Sequence, residues 1–216
     1  MKTSVWLAGP TLLLILLAYL LGSIPFGLIL ARLFTKADVR QGGSGNIGAT
    51  NVARVAGPLP GTLTLLLDTA KGALVVWLAG RFADHHASAM MLAGIAALLG
   101  HCYPIWLRFK GGKGVATALG VFLAFSPFAA LSALAVFLLV VAIWRYVSLG
   151  SVASAAAMPL LMYLLWAPPL APPPVITFGT LFATGLVIFK HRANLQRLLD
   201  GTEPRFAFSK SEDMSE

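Results

Sequence analysis

Acidic residues are scarce in this sequence. Eight Asp and Glu face sixteen Lys and Arg, and the four types together make up 11% of the 216 residues. A soluble domain carries about a quarter charged residues, so a water-facing globular fold is excluded. Cysteine is nearly absent: the single Cys102 rules out an internal disulfide. No Cys/His spacing fits zinc and the few carboxylates are scattered, so no metal and no cofactor is expected. No Ser-His-Asp triad can be assembled. The basic residues form no stripe interleaved with aromatics, which excludes nucleic acid as a partner. No obligate protein partner is evident.

Apolar residues are what the chain has in abundance. They make up 58% of it, with a mean hydropathy of +0.83. That composition belongs to an integral membrane protein. The formal net charge of +8 sets topology and draws the chain to anionic lipid.

The apolar runs predict an all-α fold. The first extends from Val5 to Leu21 and continues through Gly22-Ser23-Ile24-Pro25 into Phe26–Leu33. It reads as a retained helix bent near Pro25, not as a cleaved signal peptide. The others are Gly61–Gly80, Ala89–Leu107, Val115–Trp144, Val147–Trp166 and Val175–Phe189. Taken as one helix, Val115–Trp144 would be about 45 Å long, against a hydrocarbon core of about 30 Å. Ser126-Pro127 lies inside it, and a break there gives seven spans.

Charge then orients the spans. With seven, one face collects Arg32, Lys36, Arg40, Arg54, Arg108, Lys110, Lys113, Arg145, Lys190, Arg192, Arg197, Arg205 and Lys210, and the other keeps Lys2 and Arg81. The positive-inside rule puts the N-terminus outside and the C-terminus in the cytoplasm. The expected organisation is one transmembrane domain over residues 1–205 and a disordered cytoplasmic tail over 206–216, with Ala83–His86 and Pro168–Pro174 as outer turns.

Two glycine-rich segments fall on the cytoplasmic side of this scheme. The first is Gly42-Gly43-Ser44-Gly45-Asn46-Ile47-Gly48-Ala49-Thr50-Asn51, followed by Arg54. It contains the letters of a dinucleotide fingerprint but lacks the preceding strand, and no Lys-Ser/Thr follows to make a Walker loop. Glycine lets N–H groups close on an anion, and Ser44, Asn46, Thr50, Asn51 and Arg54 add donors. The second is Gly111-Gly112-Lys113-Gly114, at the start of a helix, where free N–H groups and the helix dipole favour negative charge. The pair reads as one or two phosphate cradles. His191 and Asn194, three apart on one helix face, close the last span. His191 is a candidate base or donor, against the plainer role of interfacial anchor. Inside the second span, Asp68 and Lys71 either neutralise each other or send Lys71 toward an anionic headgroup. His101 is as ambiguous as His191. Catalysis by an enzyme carboxylate is not expected, because none is placed to serve as base.

The motifs are familiar in their order. Gly22-Ser23-Ile24-Pro25-Phe26-Gly27, the segment from Gly43 to Arg54, Asp68-Thr69-Ala70-Lys71-Gly72, Gly100-His101-Cys102-Tyr103-Pro104, Phe109–Thr117 and His191–Leu199 resemble the bacterial acyl-phosphate-dependent glycerol-3-phosphate acyltransferases (PlsY family). One departure is Ala193, where the family often has an acidic residue. The resemblance implies seven transmembrane helices in the inner membrane with a cytosolic active site. It implies acyl transfer from acyl phosphate to the sn-1 hydroxyl of glycerol 3-phosphate, giving lysophosphatidic acid and phosphate. By position it makes Ser44, Arg54, Lys113, His191 and Asn194 the catalytic set. Gly43, Gly45, Asn46, Gly48, Thr50, Asn51, Lys71, Gly111, Gly112 and Gly114 would bind substrate. The rival readings are a transporter of a phosphate-containing solute and an acyltransferase with a thioester donor. A transporter would want internal repeats and broken helices at mid-membrane, and no repeat is found.

Overall fold

Proline and glycine punctuate a chain that is otherwise helical. The computed structural model describes residues 9–166 and 171–206. The first apolar run makes α1 (Gly9–Gly22) and α2 (Phe26–Thr35), broken at Pro25. A short α3 (Ala49–Ala56) precedes α4 (Pro58–Phe82) and α5 (Ala87–Cys102). After Tyr103-Pro104 comes a single 3-10 turn, Ile105–Leu107. Then follow α6 (Val115–Phe125), α7 (Pro127–Trp144), α8 (Val147–Leu164), α9 (Pro174–Lys190) and α10 (Arg192–Leu199).

The break expected at Ser126-Pro127 is there. Ser126 caps α7, its hydroxyl accepting from Ala129 N, and Pro127 occupies the first helical position, where a missing N–H costs nothing. Two features depart from the sequence reading. The Ala89–Leu107 run stops being α-helical at Cys102, because Pro104 cannot continue the hydrogen-bond ladder. Thr50, Asn51 and Arg54, read as loop donors, lie on α3. Residues 168–170 of the expected outer turn Pro168–Pro174, and the whole tail from 207, fall outside the described residues. Phe206, assigned to that tail, donates its N–H to Arg145 O at 2.6 Å.

By length and composition, five stretches among the described residues suffice to cross a bilayer. They are Thr11–Thr35, Pro58–Phe82, Ala87–Leu107, Pro127–Trp144 and Val147–Leu164. The pair α9 and α10, bent by 55°, makes a sixth if counted together. The 11 residues of α6 reach only about 16 Å. Bulky apolar side chains cover the outside of the bundle: Trp77, Phe128, Leu139 and Phe178 are all more than half exposed. In water this would be untenable, and against lipid tails it costs nothing.

Inside, the helices approach through small residues rather than through a large oily core. A Cβ added at Gly72 would fall against Thr117 O, and one at Gly120 against Thr69 O. Each glycine thus receives the backbone of the other helix, locking α4 to α6. Gly120→Val forces these backbones apart and should cost about 1–3 kcal/mol. Thermal unfolding in detergent micelles checks this, with Gly185→Val as the control, since a Cβ at Gly185 meets nothing within 4 Å.

Cross-links between helix ends establish two polar borders. Ser126 Oγ donates to Leu165 O at 3.1 Å, bringing the α6–α7 turn beside the end of α8. At the other border Lys190 Nζ, ending α9, donates to Cys102 O, ending α5, at 3.1 Å. Arg145, ending α7, meets the C-terminal segment at Phe206. The starts of α4 and α6 and the two glycine segments lie on this second border.

Candidate functional site

The first glycine segment is folded on itself by Asn51. This side chain is 2% exposed. Its Nδ2 donates to Val39 O at 2.8 Å, Gly42 O at 3.1 Å and Asn46 O at 2.8 Å, while its Oδ1 accepts from Ser44 N at 2.8 Å. Asn46 Oδ1 accepts from Gly48 N at 2.8 Å. Gly43 and Gly45 have positive φ, 56° and 68°, which the reversal requires. Gly45 N donates to Gly42 O at 3.0 Å. The amides of Ser44, Gly45 and Gly48 are therefore spent within the loop. Among the described residues the Ser44, Thr50 and Arg54 side chains have no hydrogen-bond partner, and Ser44 and Arg54 are exposed. Asn46 and Asn51 shape the loop, and Ser44, Thr50 and Arg54 are left with uncommitted side chains among the described residues.

The second segment folds back on the end of α5. Gly111 N donates to Cys102 O at 3.2 Å and Gly112 N to His101 O at 3.0 Å. A Cβ at Gly112 would strike the His101 imidazole, so glycine there is a packing requirement. Gly114 caps α6 at φ 85°. Two of the amides expected to cradle phosphate are thus engaged. Lys113 and the first turn of α6 remain as the anion-attracting groups.

Lys113 Nζ donates to Asn194 Oδ1 at 2.6 Å, joining the start of α6 to α10. Asn194 is 6% exposed, and its Nδ2 donates to Glu203 Oε1 at 2.6 Å. Glu203 Oε2 accepts from Arg197 Nε at 2.8 Å, and this carboxylate side chain is 7% exposed. Arg54, Arg197, Lys190 and Glu203 all act on the Lys113 charge. Burial pushes the Lys113 amine down to about 8, Glu203 partly offsetting this and the neighbouring cations adding to it.

His191 lies at the junction of α9 and α10, beyond the apolar span. Its Nδ1 is 2.8 Å from Val187 O, so Nδ1 carries the proton and Nε2 is the free acceptor. Burial lowers its pKa to about 4, which keeps the ring neutral. Glu203 was not among the predicted site residues; it sits on Asn194 and Arg197. Its signal was faint, a Glu just after the Gly201 that ends α10. Gly201 has φ 70°, and the amides of Thr202 and Glu203 both return to Arg197 O.

Lys71 is not brought to this cluster. It is 5% exposed in the middle of α4. Its ammonium meets Asp68 Oδ1 at 2.7 Å, Ile24 O at 2.9 Å and His101 Nδ1 at 3.1 Å. These neighbours hold the ammonium inside the bundle, away from Lys113 and Asn194. The expected Asp68–Lys71 pair exists, and His101 joins it behind the second glycine loop. No group of three or more His, Cys, Asp or Glu able to hold a metal exists among the described residues.

A basic cleft of about 420 Å³ opens between the two glycine loops and α10, lined by Arg40, Tyr103, Lys110, Lys190 and Arg192 with Gly45 and Gly111. Fold and site define an integral membrane protein with a cation-rich polar site built where three of its segments meet at one border.

Comparison with known proteins gives this class its chemistry. The sequence model of the glycerol-3-phosphate acyltransferase family matches residues 12–201. The glycerol-3-phosphate acyltransferase of Geobacter sulfurreducens is 52% identical over 197 residues, covering 90% of this chain and 97% of its own. That of Syntrophotalea carbinolica is 51% identical over 194 residues, covering 90% and 96%. A crystal structure of PlsY (YgiH), an integral membrane glycerol 3-phosphate acyltransferase in its glycerol 3-phosphate form, superposes with a TM-score of 0.85. It is 41% identical, over 92% of this chain and 96% of that one. The lysophosphatidic acid form of the same enzyme gives 0.83. The chain belongs to the glycerol-3-phosphate acyltransferase family, and is an integral membrane acyltransferase of phospholipid synthesis.

Proposed function

We propose that this enzyme transfers the acyl group of an acyl phosphate to the sn-1 hydroxyl of glycerol 3-phosphate. The acceptor oxygen attacks the acyl carbonyl carbon. A C–O ester bond forms, the C–O bond to phosphate breaks, and inorganic phosphate leaves with the acyl-phosphate charge. The hydroxyl proton passes to His191 Nε2 or to a substrate phosphate oxygen. An acyl phosphate is already activated, so no covalent enzyme intermediate is needed, and rate comes from positioning and charge stabilisation. Lys113 and Arg54 neutralise the two phosphates, and Ser44 and Asn194 orient the reacting groups. The observation that carries this reading is the convergence of Lys113, Arg54, His191 and Asn194 from the start of α6, α3 and the α9–α10 junction.

The same reading takes the protein to have seven spans, its N-terminus outside and its site on the cytoplasmic side of the inner membrane. Parity supports it. The ends of α5, α7 and α9 share the border that holds the starts of α4 and α6, and Ser126 and Leu165 mark the opposite one. That alternation requires α6 to count as a crossing despite its length. The basic residues then gather on the inner side.

The test is formation of lysophosphatidic acid by the purified chain with glycerol 3-phosphate and either acyl phosphate or an acyl thioester. Product from acyl phosphate alone is expected, and product from the thioester alone would refute the donor. A pH series adds a second expectation. Lys113 is cationic below its pKa, so free enzyme loses this phosphate partner as pH rises through about 8. KM for glycerol 3-phosphate should be flat below that pH and climb above it.

A further inference from the structure

Glu203 has no part in the chemistry above, yet it is the one carboxylate in contact with that machinery among the described residues. Its place in the hydrogen-bond chain has a definite consequence. An ammonium only donates, and an ionised carboxylate only accepts. Asn194 stands between one of each: Lys113 Nζ at 2.6 Å on its oxygen, Glu203 Oε1 at 2.6 Å on its nitrogen. The amide therefore has one allowed orientation. Its flipped form would set Nδ2 against the Lys113 ammonium and Oδ1 against the Glu203 carboxylate. Arg197 Nε, at 2.8 Å on Glu203 Oε2, holds the carboxylate in turn. Glu203 is itself fixed by the turn after α10, where Thr202 N and Glu203 N donate to Arg197 O at 2.8 Å and 3.1 Å.

We propose that Glu203 is the positioning residue of the acceptor site: by locking the Asn194 amide it makes Asn194 present an oxygen, never an N–H, beside Lys113, so that this position recognises a substrate hydroxyl. This rests on the acyl-transfer reading and deepens it. An N–H at that point would seek a phosphate oxygen. A carbonyl oxygen there accepts from a hydroxyl donor and holds it next to the ammonium that neutralises the phosphate. The acceptor is thereby read as an alcohol with an anionic group close by. Glu203 also puts one negative charge among the cations of an unliganded site. It faces Lys113 together with Arg54 on α3, Lys190 on α9, His191 at the helix junction and Arg197 on α10.

Three variants test the lock. In Glu203→Gln the side chain turns its oxygen to Arg197 and its amide to Asn194, confronting N–H with N–H and favouring the flip. In Asn194→Asp two carboxylates face each other. The double variant combines the two changes. Its new carboxylate, now on α10, accepts from both Lys113 and the introduced amide, and the oxygen of that amide accepts from Arg197. Every bond is then restored with the charge moved from one side chain to its neighbour. Each single variant should lose at least tenfold in kcat with glycerol 3-phosphate, with a smaller change in KM for acyl phosphate. The double should regain at least tenfold over Asn194→Asp. A double no better than the worse single, or a Glu203→Gln enzyme with wild-type kcat, overturns the proposal.

A second readout needs no turnover. The pH midpoint for acetylation of Lys113 by acetic anhydride, followed by mass spectrometry, should fall by about one unit in Glu203→Gln and rise in Asn194→Asp. Unmoved midpoints overturn the proposal whatever the activity. If the wild-type chain forms no lysophosphatidic acid, the proposed function fails and the midpoints alone decide whether Glu203 governs the Lys113–Asn194 pair. All variants are compared at equal detergent-purified monodispersity, so that misfolding reads as loss of the elution peak.

Discussion

Lys113→Ala should cut turnover by about two to three orders of magnitude while leaving a folded protein. A charge aimed at a phosphoryl or developing oxyanion in a water-poor site is worth about 3–4 kcal/mol in the transition state, and Lys113 is the group asked to supply it. Folding is expected to survive because Lys113 makes a single link at the edge of the bundle. Its one hydrogen bond is to Asn194 Oδ1, at the polar border. Loss of that donor removes one hydrogen bond from Asn194, whose Nδ2 stays bound to Glu203. The measurement is phosphate release from acyl phosphate in the presence of glycerol 3-phosphate, alongside thermal unfolding in micelles. Turnover within tenfold of wild type would remove Lys113 from the chemistry. Lys113→Arg should not rescue fully, since the guanidinium is a wide planar fork where the site holds a point charge.

Asp68→Ala should be the most damaging single change to stability. Asp68 is 2% exposed and Lys71 5%, and among the described residues each is the other's fully charged partner, at 2.7 Å. Removing the carboxylate strands an ammonium within the span against Ile24 O and a histidine ring. Breaking a buried pair from one side costs about 3–5 kcal/mol. Replacing both, as Asp68→Ala with Lys71→Met, removes the stranded charge and should recover most of that loss. The Ile24 carbonyl then loses its ammonium donor at 2.9 Å and keeps only Phe26 N at 3.1 Å, so recovery falls short of wild type. Unfolding of the four proteins of this cycle in detergent checks the coupling. A single variant as stable as wild type would show that the pair contributes nothing.

The particular elements explain what was legible in the sequence. The helices themselves were, because hydropathy acts locally and lipid leaves the backbone no alternative to internal hydrogen bonding. Ser126-Pro127 was a visible break because both its signals, a capping hydroxyl and a missing N–H, lie within four residues. The candidate site was legible as residue types in glycine-rich company. Its inner economy was not. Asn46 and Asn51 look like free donors until the fold shows their amides closing the loop on itself. Gly112 looks like an open amide until its N–H is found on His101 O and its missing Cβ under the His101 ring. Lys71 looks available until the fold buries it against Asp68, Ile24 O and His101.

Composition and the order of apolar runs by themselves determined that this chain is a helical membrane protein, and the motifs with their spacing determined its family. Those properties are sums over neighbouring residues, so a linear reading suffices. Which polar groups are spent and which are free was decided only by the tertiary structure. Lys113 and Asn194 are 81 positions apart, and their contact exists because small residues let α4, α5 and α6 pack closely enough to carry one loop to the end of α9. Glu203 shows the same limit from the other side. Nothing near it in sequence announces a buried carboxylate, and it becomes one because the turn after α10 folds it back onto an asparagine it then orients.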